Sequence, residues 1–195
     1  MKGAFMMFRL AALAGAGILL AAGPALAQST VVYGSSDARL CYQAAQNARI
    51  GARDVQTPCH AALAAAETSR RDRAATHVNL GILQALSGDY ETAIASYEAA
   101  IEINPALPQT YLNRGLARMA LGLPRAAIDD FTRVLELGER EALKALYNRA
   151  RAYEQLEMYR EAYDDLHRAL EIRPGWEPAL SELERFTVLS ENNGA

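Results

Sequence analysis

Three times between residues 74 and 176 the chain sets small, large and small apolar side chains at helical spacing. The triplets are Ala93, Tyr97 and Ala100, then Ala127, Phe131 and Val134, then Ala162, Leu166 and Ala169. Gaps of three and four residues put such side chains on one face of a helix. The small residues let a facing helix approach, and the large one fills the space between them. Each triplet therefore predicts a helix packed on a partner, and the partner precedes it in the chain. The segment Asn79-Leu80-Gly81 returns as Asn113-Arg114-Gly115 and again, one position later than strict repetition, as Asn148-Arg149-Ala150. Each copy falls within a predicted first helix, and the period is that of a repeated helical hairpin. Gly88 and Gly122 mark the turns inside the hairpins, while Asn104-Pro105 and Arg173-Pro174 end second helices.

A helix-turn-helix unit repeated at this period resembles the tetratricopeptide repeat family. Leu80, Gly81, Ala93, Tyr97, Ala100 and Pro105 fall on the family's size pattern, and the likeness covers units 74–107, 108–142 and 143–176. The resemblance implies an all-α fold, a right-handed superhelical stack of antiparallel helical hairpins. The second unit departs from the pattern by ending in Gly138-Glu139 where a proline is usual, and its extra residue predicts a looser junction.

Shifting the first unit back by one period places Cys59, Leu63 and Ala66 on the small, large, small pattern. A degenerate hairpin is therefore predicted over 37–73, with helices from about Asp37 to Arg49 and from about Asp54 to Thr68, Gly51 in the turn and Asp37 as N-cap. From Pro178 onward, Leu180, Leu183, Phe186 and Leu189 form an apolar stripe while Glu177, Glu182, Glu184 and Arg185 face elsewhere. This predicts a helix over 177–189 that caps the exposed end of the stack. Residues 28–36 and 190–195 hold too few apolar side chains to offset the entropy of ordering, and are expected to be flexible.

The first residues read differently. Lys2 and Arg9 precede an apolar run from Leu10 to Ala22, followed by Gly23, Pro24 and the small-residue triplet Ala25, Leu26, Ala27. A membrane-crossing helix needs roughly 20 apolar residues and this run is shorter, so the order predicts a signal peptide over 1–27 cut after Ala27, and a periplasmic or secreted protein. Gln28 follows the predicted cut, so the cysteine that lipid anchoring requires is missing there, and no membrane insertion is expected after cleavage. Loss of Lys2 and Arg9 takes the formal charge from −3 to −5. With both signs interspersed, that balance gives no footprint for nucleic acid. Two cysteines, Cys41 and Cys59, lie equally far from Ile50, so folding the N-terminal hairpin about that point sets them opposite one another. They are expected to form a disulfide after export; the alternative is a pair of small buried apolar residues.

Catalytic chemistry finds little to stand on. His60, His77 and His167 fall in different hairpins without ligand spacing, which gives no metal site, no cofactor and no catalytic set. Asp129-Asp130 and Asp164-Asp165 precede Arg133 and Arg168 by three or four positions, the pattern of solvated faces with internal ion pairs. What remains is the inner curve of the array, where the family binds extended segments on its first helices. Asn79, Asn113 and Asn148 repeat in register there, with Leu116, Lys144, Tyr147 and Arg151 one turn away. An asparagine ladder can bond a peptide backbone through donor and acceptor alike, and the two cations add charge; the alternative is that the asparagines bond the neighbouring hairpin. The family's carboxylate clamp is incomplete: Asn113 and Lys144 match it, but Val78, Ile82 and Asn148 stand where lysine, asparagine and a basic group belong.

The expected function is a non-catalytic protein interaction scaffold or adaptor of the bacterial periplasm, with a protein or peptide partner on the concave face. The alternatives are a self-associating structural subunit of an envelope complex, and a small-ligand carrier or enzyme with a pocket in that face.

Overall fold

The computed structural model describes residues 7–10, 36–47 and 55–189. The expected signal peptide outside 7–10, most of the expected flexible segment 28–36, the turn at Gly51 and the tail 190–195 lie outside them. Nine α-helices follow among the described residues: α1 (Ser36–Asn47), α2 (Thr57–Ala64), α3 (Arg70–Leu86), α4 (Tyr90–Ile103), α5 (Pro108–Ala120), α6 (Pro124–Leu137), α7 (Ala142–Gln155), α8 (Tyr159–Ile172) and α9 (Glu177–Glu184). Pairs α1–α2, α3–α4, α5–α6 and α7–α8 are hairpins, and each second helix also packs on the first helix that follows it.

The size pattern is what closes each hairpin. Tyr97, Phe131 and Leu166 are buried between small neighbours, and Ala93, Ala100, Ala127, Ala162 and Ala169 are fully enclosed. Each large side chain stabilises the fold by about 1.5–3 kcal/mol through burial alone. In the first two units it lies across a glycine: a Cβ on Gly81 would come within 2.5 Å of the Tyr97 ring, and one on Gly115 within 2.6 Å of the Phe131 ring. The third unit pairs Leu166 with Ala150 instead, because leucine leaves room for a methyl group.

Helix ends follow local chemistry. The Ser69 hydroxyl oxygen accepts from the Asp72 backbone N–H at 3.1 Å and caps α3, and Asp89 accepts from the Thr92 N–H at 3.3 Å to cap α4. Gly88 (φ 86°) and Gly122 (φ 71°) take the left-handed conformation that ends α3 and α5, and Glu157 (φ 60°) does so after α7. Their backbone bonds match too, from Asp89 to the Gln84 carbonyl, Leu123 to Arg118 and Met158 to Tyr153. The extra residue of the second unit is absorbed by a single 3-10 turn, Glu139–Glu141, after Gly138 (φ 134°). That junction is filled: Glu141 is buried and pairs with Lys144 at 3.1 Å.

The structure corrects half of each expected solvated aspartate pair: Asp129 and Asp164 are exposed as expected, and their neighbours are not. Asp130 and Asp165 are buried, at 2% and 3% exposure, because they bridge the two helices of their hairpins. The Arg114 Nε donates to both Asp130 oxygens at 3.1 and 3.2 Å, and Arg118 adds a bond of 2.8 Å. Arg149 holds Asp165 at 2.7 and 2.8 Å and donates to Thr132 in the preceding hairpin at 2.8 Å. Arg168 does reach Asp165, at 3.3 Å, whereas Arg133 pairs with Glu136. Burial pushes the Asp130 carboxyl above the usual carboxylate range, while the bond from Arg114 and the charges of both arginines pull it back. At the matching place in the first unit, Ser96 donates to Gln84 at 2.7 Å, a neutral version of the same bridge.

At the N-terminal end Cys41 and Cys59 are joined by a disulfide that links α1 to α2. Both lie fully buried against Leu80 and Leu83 of α3. Closing a loop of this length stabilises the folded state by about 3 kcal/mol, more than any one of the alanine methyl groups around it, at about 0.8 kcal/mol each. The second helix is shorter than the expected Asp54–Thr68, because Ala65 is already extended and Thr68 bonds back to the Ala62 carbonyl at 2.6 Å. α1 begins at Ser36, which puts Asp37 in its first turn. The C-terminal helix is shorter as well and stops at Glu184. Phe186–Leu189, with β-branched Thr187 and Val188 between two bulky residues, is extended as β2 and pairs antiparallel with β1 (Met7–Leu10), Met7 opposite Leu189.

Candidate functional site

First helices α1, α3, α5 and α7 touch one another in succession, while second helices reach the next hairpin through its first helix. In a curved stack the row on the inside is the one whose members stand closer together. The first helices therefore form the inner row.

α3 offers little of that row. It is flanked by α1, α2, α4 and α5, and Val78, Asn79 and Ile82 are at most 2% exposed. Asn113 on α5 is 5% exposed, and Asn148 turns its amide back to donate to the Lys144 carbonyl of its own helix at 2.8 Å. The expected asparagine ladder is thus not presented to a partner. Neighbouring helices cover two of its members, and the third bonds within its own helix. Among the described residues, the buried amide group of Asn79, the Asn113 Nδ2 and the hydroxyls of Thr76 and Thr110 find no hydrogen-bond partner.

The other four expected residues fall into two groups. Leu116 is half-buried on α5 and packs against the cluster around Tyr111 and Phe131. Lys144, Tyr147 and Arg151 come together on one stripe of α7, all half-buried. The Arg151 guanidinium carbon lies 5.9 Å above the Tyr147 ring, a cation–π contact. The Tyr147 ring also meets Trp176 edge to face, at 5.2 Å between centroids and 68° between planes. Its hydroxyl donates to Glu182 of α9 at 3.3 Å. Burial first, and the Glu182 charge second, raise the Tyr147 hydroxyl above its ordinary value, so it stays a neutral donor.

The α9 side of this site lies outside the residues expected to bind. Glu182 and Arg185, expected to face away, face α7. Arg185 bonds Glu154 at 2.6 Å and Glu182 on its own helix. Burial raises the Glu154 carboxyl and Arg185 opposes that shift. The available signal was position: α9 begins one repeat period after the first helix of the third unit, so it occupies the next place in the inner row.

The arrangement offers a guanidinium over a phenol ring, an indole beside that ring and an ammonium paired with Glu141, an assembly that can meet a peptide by stacking and charge. Among the described residues no three His, Cys, Asp or Glu side chains gather to hold a metal ion, and no helix is long and apolar enough to cross a membrane. His60 and His167 are exposed; His77 is half-buried, and burial lowers its basicity with Arg73 adding to the effect.

Two family profiles match the chain, one described as TPR repeat over residues 85–122 and one as Tetratricopeptide repeat over residues 143–175. Sperm-associated antigen 1 of Rattus norvegicus is 37% identical over 108 residues, 54% of this chain but 12% of that protein, so the chain spans about an eighth of its length. Among solved structures, the first TPR of Spaghetti (RPAP3) bound to the HSP90 peptide SRMEEVD is 28% identical, with a TM-score of 0.55, covering 57% of this chain and 88% of that one. A tetratricopeptide repeat protein from Parabacteroides merdae superposes with a TM-score of 0.61 at 26% identity, covering 67% of this chain and 50% of that one.

Proposed function

We propose that this chain, a tetratricopeptide repeat protein, is a non-catalytic interaction scaffold of the bacterial periplasm that holds a peptide or protein segment along α5 and α7. The observation that carries the reading is the cluster of Arg151, Tyr147 and Trp176 with Lys144 beside it. Large aromatics and arginine are the side chains that anchor interfaces, and here they stand half-buried on the inner row, with Tyr147 and Trp176 backed by the core cluster around Leu146 and Leu166. The structural neighbour that carries a bound peptide supports the mode of binding. Its peptide is a poor guide to the partner, because Val78 and Ile82 occupy clamp positions and are buried.

The changes Lys144→Gln and Arg151→Glu test this directly, since a glutamine at 144 can still donate to the buried Glu141 carboxylate. Capture from envelope extract with the oxidised protein is expected to retain a partner that the double variant loses at least tenfold, about 1.4 kcal/mol. Equal capture by both proteins would remove α7 from the binding surface.

Export is supported by the order of charge, apolar run and small residues in 1–27, and by a disulfide of the kind that persists outside the cytoplasm. The measurement is the mass of the protein purified from the envelope, expected to begin at Gln28. A chain still beginning at Met1 would contradict it. Cleavage there would also remove β1 and leave β2 without the strand it pairs with.

A further inference from the structure

The two helices of the N-terminal hairpin are fastened in different ways. The C-terminal end of α2 is tied to the start of α3 by hydrogen bonds: Thr68 donates to the Ala62 carbonyl at 2.6 Å, and Arg73 donates to the Leu63 carbonyl at 3.2 Å. On α1 the buried side chains are small, Ala38 and Cys41, and half-buried Tyr42, Ala44 and Ala45 pack alongside them. α1 is 12 residues long, a length at which an isolated helix is marginal in water. α3, by contrast, is also held by α4 and α5.

We propose that the Cys41–Cys59 disulfide is a redox latch for α1. With the bond formed, α1 lies along α3. Reduction by a dithiol releases α1 while α3 to α8 stay folded, and the flank of α3 that carries Leu80 and Leu83 is uncovered. In the reaction the Cys41–Cys59 bond breaks, two electrons and two protons pass from the dithiol to the two sulfurs, and the dithiol becomes a disulfide. Both cysteines are fully enclosed, so exchange takes place while α1 is lifted. Once separated, the two sulfurs must move apart to van der Waals distance between Leu80, Leu83 and Leu63, a crowded site that opposes the return of α1. The latch is measured without a partner, so it and the interaction reading proposed above can each fail alone.

The experiment is amide hydrogen exchange read by mass spectrometry on the full chain, oxidised and then reduced with dithiothreitol, with native-state alkylation of the thiols by iodoacetamide. In the reduced protein, amides of residues 38–47 are expected to exchange at least about tenfold faster, residues 70–172 to keep their protection, and Cys41 and Cys59 to be alkylated. The double variant Cys41→Ala, Cys59→Ala, which removes the crowding along with the bond, separates the two causes: faster exchange over 38–47 there assigns the latch to the covalent link. Unchanged protection of 38–47 and unreactive thiols in the reduced protein would overturn the proposal. So would loss of protection across α3 to α8, which would make the bond a staple of the whole fold.

Discussion

A methyl group is enough to disturb the hairpins at two places. Gly81 and Gly115 face the rings of Tyr97 and Phe131 so closely that a Cβ must displace an enclosed aromatic side chain. Gly81→Ala is therefore expected to destabilise the protein by about 1–3 kcal/mol, read from the midpoint of urea unfolding, despite alanine's better helix propensity. No change, or a gain, would show that Tyr97 can turn aside. These positions were legible in the sequence, because size alone defines them and the repeat states the size three times. The asparagines were not. Asn79, Asn113 and Asn148 recur in the same register, yet residue type does not reveal whether a neighbouring helix covers a side chain, and for Asn79 and Asn113 one does. The Arg114–Asp130 and Arg149–Asp165 bridges were hidden for a related reason. Their partners stand 16 residues apart and pair through the hairpin, while nearer arginines offered a simpler pairing.

Among the elements, the first helices of the three units end in the same backbone motif, but with unequal residues. Gly88 and Gly122 adopt positive φ without steric cost, whereas Glu157 carries a Cβ into the same region. Glu157→Gly is expected to stabilise the third hairpin by about 1 kcal/mol and raise the thermal midpoint; a lower midpoint would mean that the glutamate side chain contributes more than its backbone costs. Helix ends marked by proline or glycine were readable for that reason, as at Asn104, Gly122 and Arg173. Ends marked by nothing but a change in packing were not. α9 keeps its apolar stripe on paper through Phe186 and Leu189, but Thr187 and Val188 favour extended backbone, and the helix stops at Glu184. The acidic face of α9 also turned out to be partly an inward face, because the next place in the inner row sets Glu182 and Arg185 against α7.

Over the whole molecule, the stack is asymmetric in what it presents. Its N-terminal half is covered, with α3 enclosed and α1 fastened to α2 by the disulfide. Its C-terminal half presents α7, where Lys144, Tyr147 and Arg151 stand together beside α9. The period of the repeat foretold the stack, since each unit buries its face only against the next. It did not foretell this asymmetry, which depends on how deeply each first helix is flanked. Whether a partner lies along α7 on the inner row is read by site-specific photo-crosslinking in the cell. A photoreactive residue at position 151 is placed on that row, and one at position 160, exposed on the second helix α8, serves as the outer reference. A partner on that row is expected to give a discrete crosslinked product from position 151 and none from 160. The same adduct from both positions, or one from 160 alone, would contradict it.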